Sequence, residues 1–405
     1  MTAPRVLLYV QNLLGIGHLR RAAAVARGLT AEGLAVDFVS GGMPVPHLPL
    51  GGAELVQLPP VRALDDAFKV LVDAHDRPID DAFRANRRER LLALLQDRRP
   101  AAVITELFPF GRRQMRFELL PLLEAARAAP WRPVVLSSMR DILVTKPRAD
   151  RNREIVDTLN AWYDGALIHA DPGLIRLERT FPMAADIQVP VTYTGYVVNT
   201  DELAVPALDP LAAGEVLVSA GGGAVGHDFM RRVAAAMPGL PLADRTWRFV
   251  TGHHMRPDTV EHLRGLGPPN LVVDTMRPDL PALMAGAALS ISQAGYNTLL
   301  ELLAVRARAV VVPFEGGVET EQRLRADLLA EPLGDAGAAV CYLMPSVMRR
   351  LGPKLTAELR PGTVVVSYSF AFDGWPPEIV AVDAESGPEP IYRYRAGGAA
   401  GRVPA

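Results

Sequence analysis

The sequence predicts an α/β protein of two Rossmann-like domains facing a cleft, the second of them truncated and followed by a tail of different character. Short apolar runs alternate with helical patterns over most of the chain, the alternation pauses once near residue 200 and restarts, and each half opens with a glycine-bearing turn after its first strand. Arg5 to Tyr9, Ala35 to Val39, Ala102 to Thr105, Pro133 to Ser137 and Gly165 to His169 read as strands buried on both faces, because each is a brief apolar run bounded by turn residues. Leu19 to Ala31 and Phe83 to Leu95 carry the helical period between them. Gly195 to Gly214, with Pro206, Pro210, Asp201 and Glu202, lacks a period and is the expected linker. The pattern resumes with Glu215 to Ser219, Trp247 to Thr251, Leu271 to Asp274, Ala288 to Ile291 and Ala309 to Val312. The expected domains are therefore 1–200, 214–333 and a tail, 334–405.

Composition narrows the function classes. The chain has 405 residues, 49% hydrophobic and 22% charged, which is enough to bury two cores. A formal net charge of −2 offers no global attraction to nucleic acid, so no nucleic-acid partner is expected. Arginine outnumbers lysine forty to three, the bias of a GC-rich genome, and arginine richness alone therefore says little. The single cysteine, Cys341, excludes an internal disulfide framework and a cysteine metal cluster. No signal pattern precedes the first strand, and no apolar run is long enough to span a bilayer; a cytoplasmic protein with at most peripheral membrane contact is expected.

The first turn, VLLYVQNLLGIGHLRR, sets Gly15 and Gly17 before a helix with His18 at its start. One reading is a plain strand-to-helix turn whose histidine caps or packs; the other is that His18 projects into the cleft as a general base or hydrogen-bond donor. The second turn, VLVSAGGGAVGHDFM, places Gly221, Gly222, Gly223 and Gly226 before a helix, where bare backbone N–H groups can approach a diphosphate. No lysine follows, so a P-loop ATPase is not indicated.

The segment Ser290 to Leu329, SISQAGYNTLLELLAVRARAVVVPFEGGVETEQRLRADLL, is the most informative. Its strand delivers Ser292, Gln293, Gly295, Asn297 and Thr298 to a helix N-terminus, where phosphate or a ribose hydroxyl finds free N–H donors. Glu301 lies one turn inside that helix, and the next strand leads to Glu315, Glu319, Glu321 and Gln322. For Glu321 and Gln322 the plain alternative is a solvated helix start.

On GIGHLRR, SAGGGAVGHDF and SQAGYNTLLELL…VVVPFEGGVETEQRLRADLL, the chain from Met1 to about Ala330 resembles the GT-B glycosyltransferases of the MurG-like group (glycosyltransferase family 28), in particular a set of bacterial predicted glycosyltransferases. The resemblance implies a nucleotide-sugar donor, often UDP-linked, on the second domain and an acceptor on the first. It implies that Gly221 to Gly223, Gly295, Asn297 and Thr298 lie near the donor diphosphate, that Glu301 bonds the ribose, and that Glu321 and Gln322 touch the sugar. It puts His18 in the acceptor-side pocket. The first turn departs from better-known relatives, which carry more glycine and a proline soon after the histidine, so acceptor identity stays open between a lipid-linked compound and a small metabolite.

Such chemistry is metal-independent in this group, and no cofactor is expected. Negative charge growing on the departing diphosphate wants oriented N–H dipoles, and the acceptor hydroxyl wants a base. His253 and His254 are adjacent and diverge, and His47, His75, His169, His227 and His262 lack ligand spacing. TELFPFGRRQMRFELL places Glu106, Arg112, Arg113 and Arg116 beside Phe108, Phe110 and Phe117. It reads as an acceptor pocket built on Glu106 and Arg112, as a surface for anionic lipid, or as amphipathic packing with solvated arginines.

From about Gly334 the text AAVCYLMPSVMRRLGPKLTAELRPGTVVVSYSFAFDGWPPEIVAV resembles the carboxyl-terminal part of a class I S-adenosylmethionine-dependent methyltransferase, over about Gly334 to Tyr394. That family's cofactor turn and acidic residue have no counterpart here, so methyl transfer by this chain alone is not expected. Ala338 to Leu343 and Thr363 to Ser367 read as strands able to pair with the open edge of the truncated second domain. Three functions stand: an inverting hexosyltransferase, a non-catalytic nucleotide-sugar-binding or inactive fusion protein, and a GT-B-type sugar-nucleotide epimerase or hydrolase.

Overall fold

The computed structural model describes residues 3–46, 48–64, 70–143, 149–199, 203, 213–222, 226–240, 242–253, 255–266, 268–314 and 321–328, then four strands and a few single residues between 338 and 395. Its contacts divide the chain into two compact units, Met1–Asn199 with Val318–Glu321, and Thr200–Gly317 with Gln322–Ala405.

The first unit is a seven-stranded sheet. Its strands are β1 (Arg5–Val10), β2 (Ala35–Ser40), β3 (Glu54–Gln57), β6 (Ala102–Glu106), β7 (Val134–Arg140), β8 (Gly165–His169) and β9 (Val191–Tyr193); a two-stranded ribbon of β4 (Arg62–Ala63) and β5 (Leu71–Val72) stands apart. The order is β3-β2-β1-β6-β7-β8-β9, and every pairing is parallel. Four helices connect them: α1 (Gly17–Ala31), α2 (Asp81–Arg98), α3 (Arg116–Ala128) and α4 (Ala149–Trp162). Helix α1 turns Leu19, Ala22, Ala23 and Ala26 onto Val6, Leu8, Val10 and Phe38. The small alanines let the helix lie close to the sheet, while a buried leucine such as Leu19 contributes roughly 2 kcal/mol. Helix α2 starts two residues before the apolar period begins, because the Asp80 carboxylate accepts a hydrogen bond from Phe83 N at 2.7 Å and caps it. The order reverses between β1 and β6, so their carboxyl ends flank a crevice of the kind that binds ligands in open α/β sheets.

The second unit holds a five-stranded parallel sheet in the order β12-β11-β10-β13-β14. These are β10 (Val216–Ser219), β11 (Trp247–Val250), β12 (Leu271–Asp274), β13 (Leu289–Gln293) and β14 (Ala309–Val312). The helices are α5 (His227–Ala236), α6 (Pro257–Gly265), α7 (Leu280–Gly286), α8 (Tyr296–Ala304) and, apart from its first residue Glu321, α9 (Glu321–Leu328). Val216, Val218, Met230, Trp247, Phe249 and Ile291 form the core on one sheet face, and Leu217, Leu283, Met284, Leu299 and Leu302 form it on the other. Here the strand order switches between β10 and β13.

The tail builds a separate sheet of β15 (Ala338–Cys341), β16 (Val364–Tyr368), β17 (Glu378–Val382) and β18 (Pro390–Arg395), in the order β15-β16-β18-β17. β15 and β16 are parallel; β18 runs antiparallel to both β16 and β17. The expectation that tail strands would complete the open edge of the second domain is therefore corrected. Among the described residues β14 pairs only with β13, and β15 has found a partner in β16 instead. A local reason is visible in the buried pair Val365 and Tyr394, opposite one another across β16 and β18, with the Trp375 ring 5.6 Å from that of Tyr394. No helix of the described residues is long and apolar enough to cross a membrane.

Candidate functional site

At the crevice of the first unit, α1 begins at Gly17 and His18 is its second residue. Glu106 ends β6, next to β1. The two side chains meet with His18 Nδ1 2.7 Å from Glu106 Oε1. Arg21, one turn further along α1, bonds the same oxygen and lies 3.2 Å from Nδ1. Burial tends to raise the Glu106 pKa, but His18, Arg21 and Arg112 outweigh it and hold the carboxyl down at about 2. It is a carboxylate and can only accept. Burial pulls His18 down to about 3 against the attraction of Glu106, with Arg112 and Arg21 pulling the same way as burial. A neutral imidazole that donates from Nδ1 keeps its lone pair on Nε2. This is the tautomer that a general base requires.

Glu106 is followed by a tightly held loop. Leu107 and Arg112 both adopt left-handed backbone, with φ of 64° and 57°. Residues of this kind cost about 1 kcal/mol or more unless the surroundings fix them. The Phe108 carbonyl supplies that fixing: it accepts from Thr105 Oγ1 at 3.1 Å, Ser137 Oγ at 2.8 Å and Tyr163 OH at 3.2 Å. Phe108 and Phe110 are buried, Phe110 edge-on to Phe181 at 5.4 Å. The reading of this segment as a lipid-facing surface is corrected accordingly, since two of its three aromatic anchors face the core. Arg113 and Arg116 pair with Glu154. Arg112 behaves differently: among the described residues its guanidinium has no hydrogen-bond or ion-pair partner, and its Nε is buried.

Gly15 has open space where a side chain would stand, and Gly17 opens α1. Sequence reasoning missed several buried polar residues of this unit. His169, at the end of β8, is buried between Ser138 Oγ, 2.7 Å from Nε2, and Thr194 Oγ1, 2.8 Å from Nδ1. Burial, then the charge of Arg21, lowers its pKa to about 3. A second buried array joins β1 to α2 and α3: Tyr9 OH donates to Glu118 at 2.5 Å, and Arg87 grips both Glu118 oxygens at 2.6 and 2.8 Å. Arg87 also donates to Gln11 Oε1 at 3.0 Å and to the Gly41 carbonyl at 2.9 Å. Arg21 stands three residues after His18, the helical spacing that could have flagged it. Arg87 carried no such signal.

In the second unit the strand ends at the switch point carry most of the expected donor residues. Ser219 lies opposite Ser292 in the β10–β13 ladder, so the turn at Gly221 and Gly222 sits beside the loop from Gln293 to Gly295. A Cβ placed on Gly221 would come 3.7 Å from Thr298 Oγ1, and one on Gly295 3.8 Å from the same atom. Gly295 precedes α8, whose first residues are Tyr296, Asn297 and Thr298, so their N–H groups face that end. Gly221 has φ of 59°, and Gly252, after β11, has φ of 85°. The Gly252 backbone packs so closely on this turn that a Cβ there would be 2.4 Å from the Gly221 carbonyl oxygen. Ser292 Oγ is buried with no partner among the described residues. Glu301 is buried on α8.

Glu321 and Gln322, expected to act together, have different neighbours. Glu321 is grouped with the first unit and its carboxylate pairs with Arg140. Gln322 Oε1 accepts from Phe314 N at 3.0 Å. Arg325, on α9, was missed by sequence reasoning: it donates to the Ala294 carbonyl at 3.0 Å and lies 5.8 Å from the Tyr296 ring centre, bracing the loop before α8. Gly223, Glu315 and Glu319 lie outside the described residues.

A transferase of Synechococcus sp. (strain CC9605), UDP-N-acetylglucosamine--N-acetylmuramyl-(pentapeptide) pyrophosphoryl-undecaprenol N-acetylglucosamine transferase, is 34% identical over 161 residues, 37% of this chain and 42% of its own length. The protein of that name from Prochlorococcus marinus (strain NATL1A) is 27% identical over 147 residues, 34% of this chain and 40% of its own length. The chain thus spans about two-fifths of these relatives. Among solved structures, the calicheamicin glycosyltransferase CalG4 superposes with a TM-score of 0.52 at 16% identity, covering 85% of this chain and 87% of that one. The spinosyn forosaminyltransferase SpnP gives 0.52 at 14% identity, covering 85% and 86%. The family model described as the ANTKMT methyltransferase domain matches residues 289–379, beginning at β13, well before Gly334 where the methyltransferase-like text was expected to start. A protein-lysine N-methyltransferase of Saccharolobus islandicus (strain REY15A) is 36% identical over 63 residues, 15% of this chain and 39% of its own length. The chain therefore has the fold of the GT-B glycosyltransferases, is similar in sequence to their MurG-like group, and carries a methyltransferase-like segment towards its carboxyl end.

Proposed function

We propose that this protein is a hexosyltransferase that moves a sugar from a nucleotide-sugar donor, UDP-linked, to an acceptor hydroxyl, without a metal and with inversion at the anomeric carbon. The observation that carries the reading is the His18–Glu106 pair: a neutral imidazole, oriented from behind by a carboxylate 2.7 Å away, with Nε2 left to take a proton. His18 removes the acceptor proton as the oxygen attacks the anomeric carbon, and the diphosphate leaves from the opposite face of the sugar. One displacement inverts the centre. Charge growing on the diphosphate is met by the N–H groups of Asn297 and Thr298 and by the Gly221 to Gly223 turn. In this reading Ser292, Gln293 and Gly295 shape the phosphate end, Glu301 bonds the ribose, and Gln322, with Glu321 near it in sequence, faces the sugar. Residues 1–200 carry the acceptor, 214–333 the donor, and 334–405 a tail without a part in the reaction. The named donor of the MurG-like relatives, UDP-N-acetylglucosamine, supports a UDP-sugar.

A second reading, a nucleotide-sugar binder that no longer turns over, is favoured by the methyltransferase-like segment at 289–379, which overlaps the donor residues themselves. Release of UDP from UDP-N-acetylglucosamine in the presence of acceptors from cell extract separates the two. The transferase reading expects acceptor-dependent release that His18→Ala lowers by about a hundredfold or more; UDP binding with no release under any acceptor would favour the binder.

A further inference from the structure

We propose that Arg112 selects an acceptor bearing a carboxylate, so that the substrate of the His18 site is a hydroxy acid such as a uronic acid. This rests on the transferase reading for the word acceptor, though the anion site itself stands on the geometry alone.

Of the charged groups that act on His18, namely Glu106, Arg112 and Arg21, one has no hydrogen-bond or ion-pair partner among the described residues. Arg21 and Glu106 form a pair, Arg140 is paired with Glu321, and His18 is neutral. Arg112 is left over: no described residue accepts from its guanidinium, yet its Nε is buried. Its ionised form is disfavoured by burial, and by Arg140 and Arg21 against the pull of Glu106. A half-buried arginine whose Nε is buried and bonded to no described protein group is costly unless a ligand completes it. The chain also spends backbone energy to put it there, since Arg112 sits in the left-handed region on the loop clamped through the Phe108 carbonyl.

The ligand charge follows from the same balance. One uncompensated cation beside the Glu106 carboxylate suits a monoanion; a dianionic phosphate would gain Arg112 and meet repulsion from Glu106. The planar fork of a guanidinium matches a carboxylate with two parallel hydrogen bonds. A hydroxy acid anchored in this way brings a hydroxyl to His18 without any contact from the donor side.

Binding of three probes that share a pyranose ring tests this on the full chain saturated with UDP: D-glucuronate, D-glucose and D-glucose 6-phosphate, followed by saturation-transfer NMR titration. The comparison is repeated with Arg112→Gly, which suits the left-handed backbone and removes the guanidinium, and with Arg112→Lys. The expected result is glucuronate bound at least tenfold more tightly than the other two, a preference lost in Arg112→Gly and partly restored in Arg112→Lys, with UDP affinity the same in all three proteins. Equal binding of glucose and glucuronate, no binding of glucuronate, or a preference that survives Arg112→Gly would overturn the proposal. Preference for glucose 6-phosphate would overturn the carboxylate assignment. A fall in UDP affinity with Arg112→Gly would assign the arginine to the donor and likewise overturn it. If UDP itself does not bind while the glucuronate preference holds, the transferase reading fails and the anion site remains.

Discussion

His18 and Glu106 stand 88 residues apart in the chain and 2.7 Å apart in the fold. They meet because β1 and β6 are neighbours in the sheet, one delivering the turn into α1 and the other ending at Glu106. If the carboxylate orients the imidazole, Glu106→Gln should lower kcat by about tenfold to a thousandfold, and His18→Ala by about a hundredfold or more. UDP affinity should stay unchanged in both. Steady-state UDP release with parallel calorimetry checks this; loss of UDP binding in either variant would contradict the assignment.

Acid should destabilise the first unit over a defined window. The His18 and His169 imidazoles take up protons near pH 6.5 when unfolded, but only near 3 when folded. The unfolded chain therefore binds more protons between these values, and stability falls as pH drops through them, while the full contribution is present above about 6.5. Urea midpoints should be lower at pH 5 than at pH 7.5. A midpoint that is equal or higher at pH 5 would count against neutral buried histidines. By the same shift, kcat/KM should show no break near pH 6.5.

Breaking the Arg87–Glu118 pair should be costly, because both side chains are fully buried and removing one leaves the other charge unmatched. Glu118→Ala is expected to cost about 3 to 5 kcal/mol, read as a shift in the urea unfolding transition of the first unit. A loss below about 1 kcal/mol would mean that water reaches the arginine.

Two glycines near the expected donor turn should respond in opposite ways. Gly252→Ala forces a methyl group against the Gly221 carbonyl oxygen at a φ of 85°, whereas Gly222 has open space for one. UDP affinity should fall at least tenfold in the first variant and stay within about twofold in the second. Equal effects would show that the packing of Gly252 does not shape the turn.

What was legible in the sequence follows the physics of burial. Strands such as β1, β2, β10 and β13 are covered on both faces, so they read as apolar runs; β3 and β9 lie at sheet edges, partly exposed, and gave no such run. GIGH marked His18, and TELFPFGRR marked Glu106 and Arg112, but nothing local could say that the first two touch. Arg87 sits on a helix rich in arginines, the others all at least partly exposed, and reads as one of them; only the fold, which sets Glu118, Gln11 and the Gly41 carbonyl around it, makes it a core residue. The tail strands were read correctly as strands and assigned the wrong partner, because edge pairing depends on register with a neighbour that the local sequence does not name.

The proposed function depends first on a nucleotide-sugar site at the carboxyl ends of β10 and β13 in the second unit. Titration calorimetry of UDP into the full chain, His18→Ala and Glu301→Ala tests it most directly. One UDP bound per chain, retained in His18→Ala and weakened at least tenfold in Glu301→Ala, is the predicted result; no binding to the unaltered chain, or equal binding by all three, would contradict it.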